Sequence, residues 1–356
     1  MCSAGSSSEV EPELKADRGS GVDAPVTVSV IVPTFNRRAS LERLLEGLAR
    51  QTYPLEAIEV VVVDDGSTDG TREWLDAASF PYRLRPFSQN HGGPAEARNR
   101  GVAEATGELL VFLDDDVLPD ARVIESHVTS HRDRDTVVIG PMLPPTDWSR
   151  PAWIRWEEDK LVAVYDAMAS GRWPCTPRQF FTANASLPRD RFRQSGGFDT
   201  RFRRAEDVEL GYRLSDAGMR FVFEPIARVW HYPVRSFASW QRTPYDYGRA
   251  DVWMQRDKGH QALSVAYDEF REKRHPLTRA LARICVAVPV AFGPVCVALR
   301  MAVHAAEAMR LHSLASAALS ALYNTLYWQG VSDAVAEGDA ARLSNLDSLG
   351  ALPRSH

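Results

Sequence analysis

The chain has 356 residues, of which 44% are hydrophobic, 25% charged and 9% aromatic. This length and balance suit one large or two ordinary globular domains and exclude collagen-like, coiled-coil and wholly disordered classes. The formal net charge of -5 argues against nucleic acid as a partner, because neutralising its phosphates requires a polycation. The four cysteines are scattered, without metal-ligand or redox spacing, which favours a reduced, cytosolic setting.

Strand-like runs alternate with helix-like segments in the first half of the chain. Residues 1–24 come first; they are rich in Ser, Gly and acidic residues, lack the basic start and apolar run of a signal peptide, and are expected to form a disordered tail. Apolar runs then predict strands over residues 27–32, 58–63, 82–87 and 109–113, with helical segments between them. This alternation is typical of a mostly parallel sheet with helices on both faces, which is an α/β fold.

Polar side chains cluster after three of the predicted strands. They are Asn36 and Arg37 after the first strand, Asp64 and Asp65 after the second, and Asp114, Asp115 and Asp116 after the fourth. Ligands of such sheets bind outside the carboxyl ends of the strands, so these groups should face one another across one crevice. Asp64 is suited to accept hydrogen bonds from a base or ribose; alternatively, the run DGSTDG at 65–70 forms only a turn and a helix N-cap.

The three consecutive aspartates suggest a cation site. Adjacent carboxylates repel one another, so a fold tolerates them either in open solvent or around a bound cation. Along an extended segment Asp114 and Asp116 point to one side and Asp115 to the other, and the first pair would suit one divalent ion. A hard divalent ion beside a nucleotide usually bridges diphosphate oxygens. The alternative is a solvated acidic turn that caps the next helix.

Several motifs in order resemble the inverting GT-A glycosyltransferases of family 2. They are PTFNR at 33–37, VVVDDGSTDGT at 61–71, GGPAEARNRGVAEATGELLVFLDDD at 92–116, NASLPRDRFRQSGGFDTRF at 184–202, Glu206-Asp207 and Val229-Trp230-His231. The resemblance covers roughly residues 26–235. It implies a GT-A (Rossmann-like) nucleotide-sugar-binding domain over residues 25–235, with a mostly parallel central sheet. It also implies transfer of a sugar from a nucleoside diphosphate donor, most often a UDP-sugar, to a glycan or lipid-linked acceptor in cell-envelope or polysaccharide synthesis.

The same resemblance implies roles for individual residues. Asp207 matches the general base, and Glu206 supports it. Asp114 and Asp116 match the pair that holds Mn²⁺ or Mg²⁺ on the diphosphate, and His231 matches a histidine that completes the metal coordination. Arg98 either pairs with carboxylates or binds a phosphate. The donor-binding residues implied in this way are Pro33, Thr34, Asn36, Arg37, Asp64, Asp65, Arg98, Asp114, Asp115 and Asn184.

The last third of the chain reads as a helical C-terminal extension over residues 236–335, followed by a flexible tail over residues 336–356. Ile284 to Leu299 are 16 residues without a charge, about 24 Å as a helix and short of the roughly 30 Å hydrocarbon core of a membrane. Basic residues flank this run, which suits an anionic membrane surface. The extension is therefore either a membrane-resting hairpin at the inner face of the plasma membrane, or a helical subdomain that packs on the core or forms a homodimer.

Two other functions compete with this interpretation. A sugar-nucleotidyltransferase would carry a Gly-rich triphosphate loop after the first strand, whereas this chain has PTFNRR there. A non-catalytic nucleotide-sugar-binding module would lack base or metal carboxylates, whereas this chain keeps them. The tryptophans between the metal loop and the base either stack on the acceptor or fill the core; they are Trp148, Trp153, Trp156 and Trp173.

Overall fold

The computed structural model of the protein describes residues 24–202 and 204–349, with side chains described as far as residue 338. The predicted tail over residues 1–24 lies outside the described residues, except for Ala24. The strands of the described chain are β1 (Val28–Thr34), β2 (Ile58–Asp64), β3 (Arg83–Ser88), β4 (Leu109–Leu113), β5 (Val117–Pro119), β6 (Thr136–Ile139), β7 (Met142–Leu143), β8 (Asn184–Pro188), β9 (Arg220–Phe223) and β10 (Val229–His231).

Helices separate and cover these strands. They are α1 (Arg38–Leu48), α2 (Thr71–Ala77), α3 (Pro94–Glu104), α4 (Val123–Ser130), α5 (Ala152–Ala169), α6 (Arg189–Gln194), α7 (Glu206–Asp216), α8 (Phe237–Lys258), α9 (Ala262–Lys273), α10 (Pro276–Ala287), α11 (Pro289–Ala308) and α12 (His312–Leu349). The mixed α/β class and the helical C-terminal region are confirmed.

The central sheet has seven strands in the order β3-β2-β1-β4-β8-β6-β9. Its first four strands are parallel, as predicted, and β8 runs antiparallel to both β4 and β6. Helices cover both faces, so Val60 and Val62 pack into one apolar core and Val61 and Val63 into the other. Full burial of one such side chain stabilises the fold by about 1.5 to 3 kcal/mol.

The strand order reverses at β1, which lies between β2 and β4. The carboxyl ends of β1 and β4 therefore open beside each other, at Thr34 and Leu113. Gly101 lets α3 lie close to β1, because a Cβ there would lie 2.7 Å from Cγ2 of Ile31. This packing sets the start of α3 beside the opening.

A small second sheet, in the order β5-β10-β7, brings a distant histidine to the acidic turn. His231 of β10 pairs with Val117 of β5, the residue that follows the three aspartates. The backbone N–H of Tyr232 donates to the carbonyl oxygen of Asp116 over 2.8 Å. Two segments more than 100 residues apart in sequence therefore meet at one edge of the large sheet.

The C-terminal helices pack on the sheet domain through α5. The Trp156 ring of α5 meets Trp240 of α8 edge to face, with ring centroids 5.7 Å apart. Helices α8 and α12 approach closely because Gly248 and Gly330 face the opposite backbone; a Cβ on either would lie 2.1 Å from a carbonyl oxygen.

Helix α12 continues to Leu349, beyond the predicted helical boundary at residue 335. Residues 336–349, which the sequence predicted to be flexible, are helical, whereas 350–356 lie outside the described residues. Beyond that boundary Arg249 of α8 pairs with Glu337 of α12. The helix therefore still contacts α8 where the sequence had indicated a tail.

Candidate active site

One cavity of about 1050 Å³ opens at the carboxyl ends of β1 and β4 and extends between the sheet domain and the C-terminal helices. Most of the predicted site residues line it: Pro33, Thr34, Arg37, Asp65, Arg98, Asp114, Asp115, Asp116, Glu206, Asp207 and His231. The expectation that strand-end carboxylates share one crevice is confirmed for Asp65, Asp114, Asp115 and Asp116.

Asn36 and Asp64 were predicted to contact the sugar donor, but their side chains hydrogen-bond to a loop beside this cavity instead. Asn36 adopts a φ of 53°, and its side-chain oxygen accepts a hydrogen bond from the Thr68 backbone over 2.7 Å. The Asp64 carboxylate accepts from the backbone N–H of Ser67 over 3.0 Å. Asn36 and Asp64 do not line the cavity formed by the described residues. This hydrogen bond matches the turn interpretation of the strand end, and the nucleotide contact of Asp64 stays a prediction.

Asn184 also lies away from the cavity, so its predicted contact with the donor or acceptor is wrong in this structure. Its amide nitrogen donates to the carbonyl oxygen of Ala227 over 2.7 Å, and its oxygen contacts the His127 ring over 2.9 Å. Asn184 is 1% exposed. A buried amide must be hydrogen-bonded, and these partners account for the polar residue at this position.

Asp65, which directly follows β2, is held in place at the wall of the cavity. Its two carboxylate oxygens accept backbone hydrogen bonds from Gly92 and Gly93, over 2.9 and 2.8 Å. The ring of Phe35 stacks on His91, with centroids 4.3 Å apart, and the two rings border the cavity. Gly93 has a φ of 94°, a conformation that favours glycine. The result is a fixed carboxylate beside an aromatic surface.

The acidic turn does not have the geometry that an extended segment would give. Its backbone turns between Asp114 and Val117, so side chains do not alternate. Asp114 pairs with Arg98 over 2.6 Å, whereas Asp115 and Asp116 both pair with Arg37, over 3.0 and 2.8 Å. The prediction that Asp114 and Asp116 point together, with Asp115 opposite, is therefore wrong.

The two aspartates that share Arg37 have opposite pKa shifts. Burial, together with the charge of Asp116, raises the pKa of Asp115 to about 6 against the opposing effect of Arg37. Burial also favours a higher pKa for Asp116, but His231 and Arg37 outweigh it and hold that pKa at about 2. Nε2 of His231 lies 3.6 Å from Oδ1 of Asp116. Although burial opposes a charged imidazole, Asp116 raises the pKa of His231.

The side chains around the acidic turn supply only part of the ligands that a divalent ion needs. No three His, Cys, Asp or Glu side chains converge into a metal site among residues 24–202 and 204–338. Asp116 and His231 offer one carboxylate oxygen and one imidazole nitrogen, while Asp114, the third predicted ligand, is held by Arg98. Mg²⁺ commonly takes one or two carboxylates and completes its shell with substrate phosphates and water. Asp116 and His231 fit an ion bound in that way.

A buried arginine connects the acidic turn to the start of α7. Arg98 is 5% exposed, and its two terminal nitrogens pair with Asp114 over 2.6 Å and with Glu206 over 2.7 Å. The structural pairing of Arg98 with carboxylates is thus confirmed. Ala205, just before α7, has a φ of 58°, a conformation that an alanine adopts only at an energetic cost. This bend directs the first carboxylates of α7 towards the cavity.

Asp207 has the properties of a group that exchanges protons near neutral pH. Burial and the charge of Glu206 raise its pKa to about 7, against the lowering effect of Arg98. Its carboxylate accepts hydrogen bonds from the backbone of Val208 over 2.8 Å and of Thr182 over 3.4 Å. A base with a pKa near the working pH is effective in proton transfer.

The far half of the cavity was missed by the sequence, apart from Trp173. Its wall combines cations and aromatic rings: Arg172, Trp173, Arg178, Arg204, Tyr247, Lys273, Arg274, Tyr323 and Tyr327. Nζ of Lys273 lies 4.2 Å from the centre of the Trp173 ring. Of the other tryptophans considered, Trp156 both lines the cavity and packs in the core, and the Trp153 ring is tilted against Phe237, with centroids 4.9 Å apart. No local motif marks this surface, because helices distant in sequence assemble it.

A mostly parallel α/β sheet whose strand ends share one cavity with an acidic turn and a carboxylate pair is typical of a glycosyltransferase, and comparisons with known proteins agree. Residues 29–194 match the family model described as glycosyl transferase family 2. The chain is 36% identical over 219 residues to validoxylamine A glucosyltransferase of Streptomyces hygroscopicus subsp. jinggangensis, covering 54% of this chain and 52% of that protein. It is 31% identical over 215 residues to pre-mycofactocin glycosyltransferase of Mycobacterium tuberculosis, covering 57% and 42%.

A solved structure shows the same fold. The mannosyltransferase PcManGT from Pyrobaculum calidifontis, in complex with GDP-Man and Mn²⁺, superposes with a TM-score of 0.58 at 24% identity, covering 86% of this chain and 88% of that one. Residues 29–194 match glycosyltransferase family 2, and the chain has a GT-A fold, as the motifs predicted. The chain spans about half the length of the curated relatives it matches.

Proposed function

We propose that the protein is an inverting, metal-assisted glycosyltransferase that moves a sugar from a nucleoside diphosphate donor to a hydroxyl of a glycan or lipid-linked acceptor. The observation that carries this proposal is the arrangement of one cavity. Asp116, His231 and Asp207 all line it. Arg98 pairs with Asp114 of the acidic turn and with Glu206, the neighbour of Asp207. We propose a UDP-sugar as the preferred donor.

The donor would occupy the half of the cavity nearest the sheet. The stacked rings of Phe35 and His91 offer a surface for the nucleotide base, beside the fixed carboxylate of Asp65. Thr34 donates to Asp115 over 2.8 Å and holds the acidic turn against the end of β1. When bound, Mn²⁺ or Mg²⁺ held by Asp116 and His231 would neutralise charge on the departing diphosphate.

Asp207 would act as the general base. Above about pH 7 its carboxylate is ionised and can take the proton of the acceptor hydroxyl as that oxygen attacks the anomeric carbon. Glu206 is held by Arg98, so it supports Asp207 by position and charge rather than by taking the proton. Attack opposite the leaving diphosphate inverts the anomeric configuration, and holding both partners in place supplies much of the acceleration.

The acceptor would occupy the far half of the cavity. Aromatic rings such as those of Trp173 and Tyr247 suit the faces of sugar rings, and Arg172 and Arg204 suit an anionic group on the acceptor. These features favour a glycan or a phosphate-bearing lipid-linked acceptor, consistent with a role in envelope or polysaccharide synthesis. We place the reaction in the cytoplasm, in keeping with the free thiols of the described cysteines.

Two measurements test this function. A thermal-shift screen of UDP-, GDP- and dTDP-sugars with and without Mn²⁺ identifies the donor, because a ligand that binds only the folded protein raises its melting temperature. Asp207→Asn should then reduce transfer by about 100-fold or more and leave donor affinity unchanged. Asp216→Asn, near the other end of the same helix, is the matched control and should behave as the wild type. Loss of donor binding by a folded Asp207→Asn protein, or full transfer by it, would refute the assigned base.

A further inference from the structure

Helices α10 and α11 form a hairpin, residues 276–308, with an exposed apolar face. On α11 this face repeats at helical spacing, and Val290 and Met301 on it are 84% and 66% exposed. On α10 it includes Leu277, which is 62% exposed. The exposed residues of the face are Leu277, Ala280 and Ile284 on α10, Val288 between the helices, and Val290, Pro294, Val297, Met301 and Ala305 on α11.

The opposite side of the hairpin is fixed to the protein. Cys296, Val303 and Ala306 of α11 are buried, and the first two share an apolar core with α12. The exposed face is therefore a second, unpartnered apolar stripe on helices that are already packed. Scattered exposed apolar residues need no explanation, but a continuous face of this kind marks an interaction surface.

The charges around this face are all positive. No Asp or Glu occurs between Glu272 and Glu307, whereas the cations in that interval are Lys273, Arg274, Arg279, Arg283 and Arg300. Arg283 and Arg300 are exposed and form no ion pair with the residues that the structure describes. An apolar stripe flanked by unpaired arginines matches a surface that is apolar within and anionic at its edge.

We propose that the hairpin docks on the surface of an anionic lipid bilayer, with its apolar face in the acyl boundary and its arginines at the headgroups. In the described chain only α11 is long and apolar enough to cross a membrane. Its packing on α12 and the central charge of Arg300 favour a helix that lies along the surface. A second copy of the chain fits less well, because Arg283 and Arg300 would meet the same cations of the other copy.

Docking in this way has a consequence for the acceptor, which rests on the proposed function. Lys273 and Arg274 line the far end of the cavity and lead directly into α10 at Pro276. The bilayer would therefore lie next to the acceptor end of the cavity. A lipid-linked acceptor could present its polar head there without leaving the membrane.

Vesicle flotation tests the docking. The full-length protein should float with phosphatidylcholine vesicles that contain about one third phosphatidylglycerol, and far less with pure phosphatidylcholine. The double variant Val290→Glu with Met301→Glu should lose about tenfold or more of this partitioning, and so should Arg283→Gln with Arg300→Gln. Val335→Glu replaces a valine that is 43% exposed on α12 and serves as the matched control.

Three outcomes would overturn the proposal. The first is equal flotation of the wild type and the glutamate variant, and the second is equal binding to neutral and anionic vesicles. The third is a wild-type protein that binds no vesicles and is a dimer in light scattering, together with a glutamate variant that is a monomer. That result would assign the face to self-association. Donor binding should be the same in all these variants, so failure here is distinguishable from failure of the proposed transfer reaction.

Discussion

Replacing Arg98 by methionine should disturb both the stability of the protein and the pH dependence of its reaction. Arg98 is 5% exposed and pairs with Asp114 over 2.6 Å and with Glu206 over 2.7 Å. Removing one partner of a buried ion pair typically destabilises a protein by about 3 to 5 kcal/mol. Because the Asp114 side chain is 33% exposed and partly screened by water, we expect a loss of about 3 kcal/mol.

The effect on activity follows from the charge that Arg98 contributes near the base. Arg98 lowers the pKa of Asp207, which nonetheless lies at about 7 because of burial and Glu206. Without this cation the pKa of Asp207 should rise, so the inflection in kcat/KM should move to higher pH. At neutral pH activity should fall by about fivefold for the first unit of that movement and by about tenfold for each further unit, because less of the base is ionised.

Urea unfolding and a pH profile of nucleotide release check both effects. Arg100→Met is the matched control, since Arg100 lies on the same helix with 47% of its side chain exposed and pairs with Glu104 at the surface. It should change stability by less than about 0.5 kcal/mol and leave the profile in place. Two results would refute the coupling of Arg98 to Asp207. One is an Arg98→Met protein with wild-type stability, and the other is reduced activity with no movement of the inflection in the pH profile.

Three further predictions concern Asp207, the helix packing and the ion. The folded pKa of Asp207, about 7, exceeds its ordinary value, so the contribution of Asp207 to stability falls as the pH rises to 7. The Asp207→Asn protein should therefore be more stable than the wild type by about 1 to 4 kcal/mol at pH 8 and similarly stable at pH 4, as measured by urea unfolding. Gly248→Ala should destabilise by about 2 kcal/mol in thermal unfolding, whereas Gly293→Ala, with no atom within 4 Å of the new Cβ, should not. Asp116→Asn should reduce the Mn²⁺-dependent gain in nucleotide affinity by at least about tenfold in calorimetry, and an undiminished gain would exclude Asp116 as a ligand.

The sheet was predictable because parallel strands buried on both faces leave a clear signal. Val60 to Val63 form an uninterrupted apolar run, and such a run bounded by turn residues suits a buried strand. The polar residues at the strand ends followed from the same reasoning. The orientation within Asp114 to Asp116 did not, because side chains alternate only where the backbone stays extended, and here it turns.

Non-local packing explains the remaining differences. Asn184 had a suitable position in the sequence for a ligand contact, but its partners His127 and Ala227 are 57 and 43 residues away. The cationic and aromatic wall near Trp173 and Lys273 depends on how α9 packs beside the sheet domain. Periodicity predicts that such helices exist but does not indicate which side chains face the cavity.

The anomeric configuration of the product is the decisive measurement for a direct displacement in which Asp207 is the base. Proton NMR of the first glycoside formed from the accepted donor should show the configuration opposite to that of the donor, because Asp207 activates the acceptor hydroxyl for one direct displacement. Retention of the donor configuration would contradict this mechanism and the role assigned to Asp207.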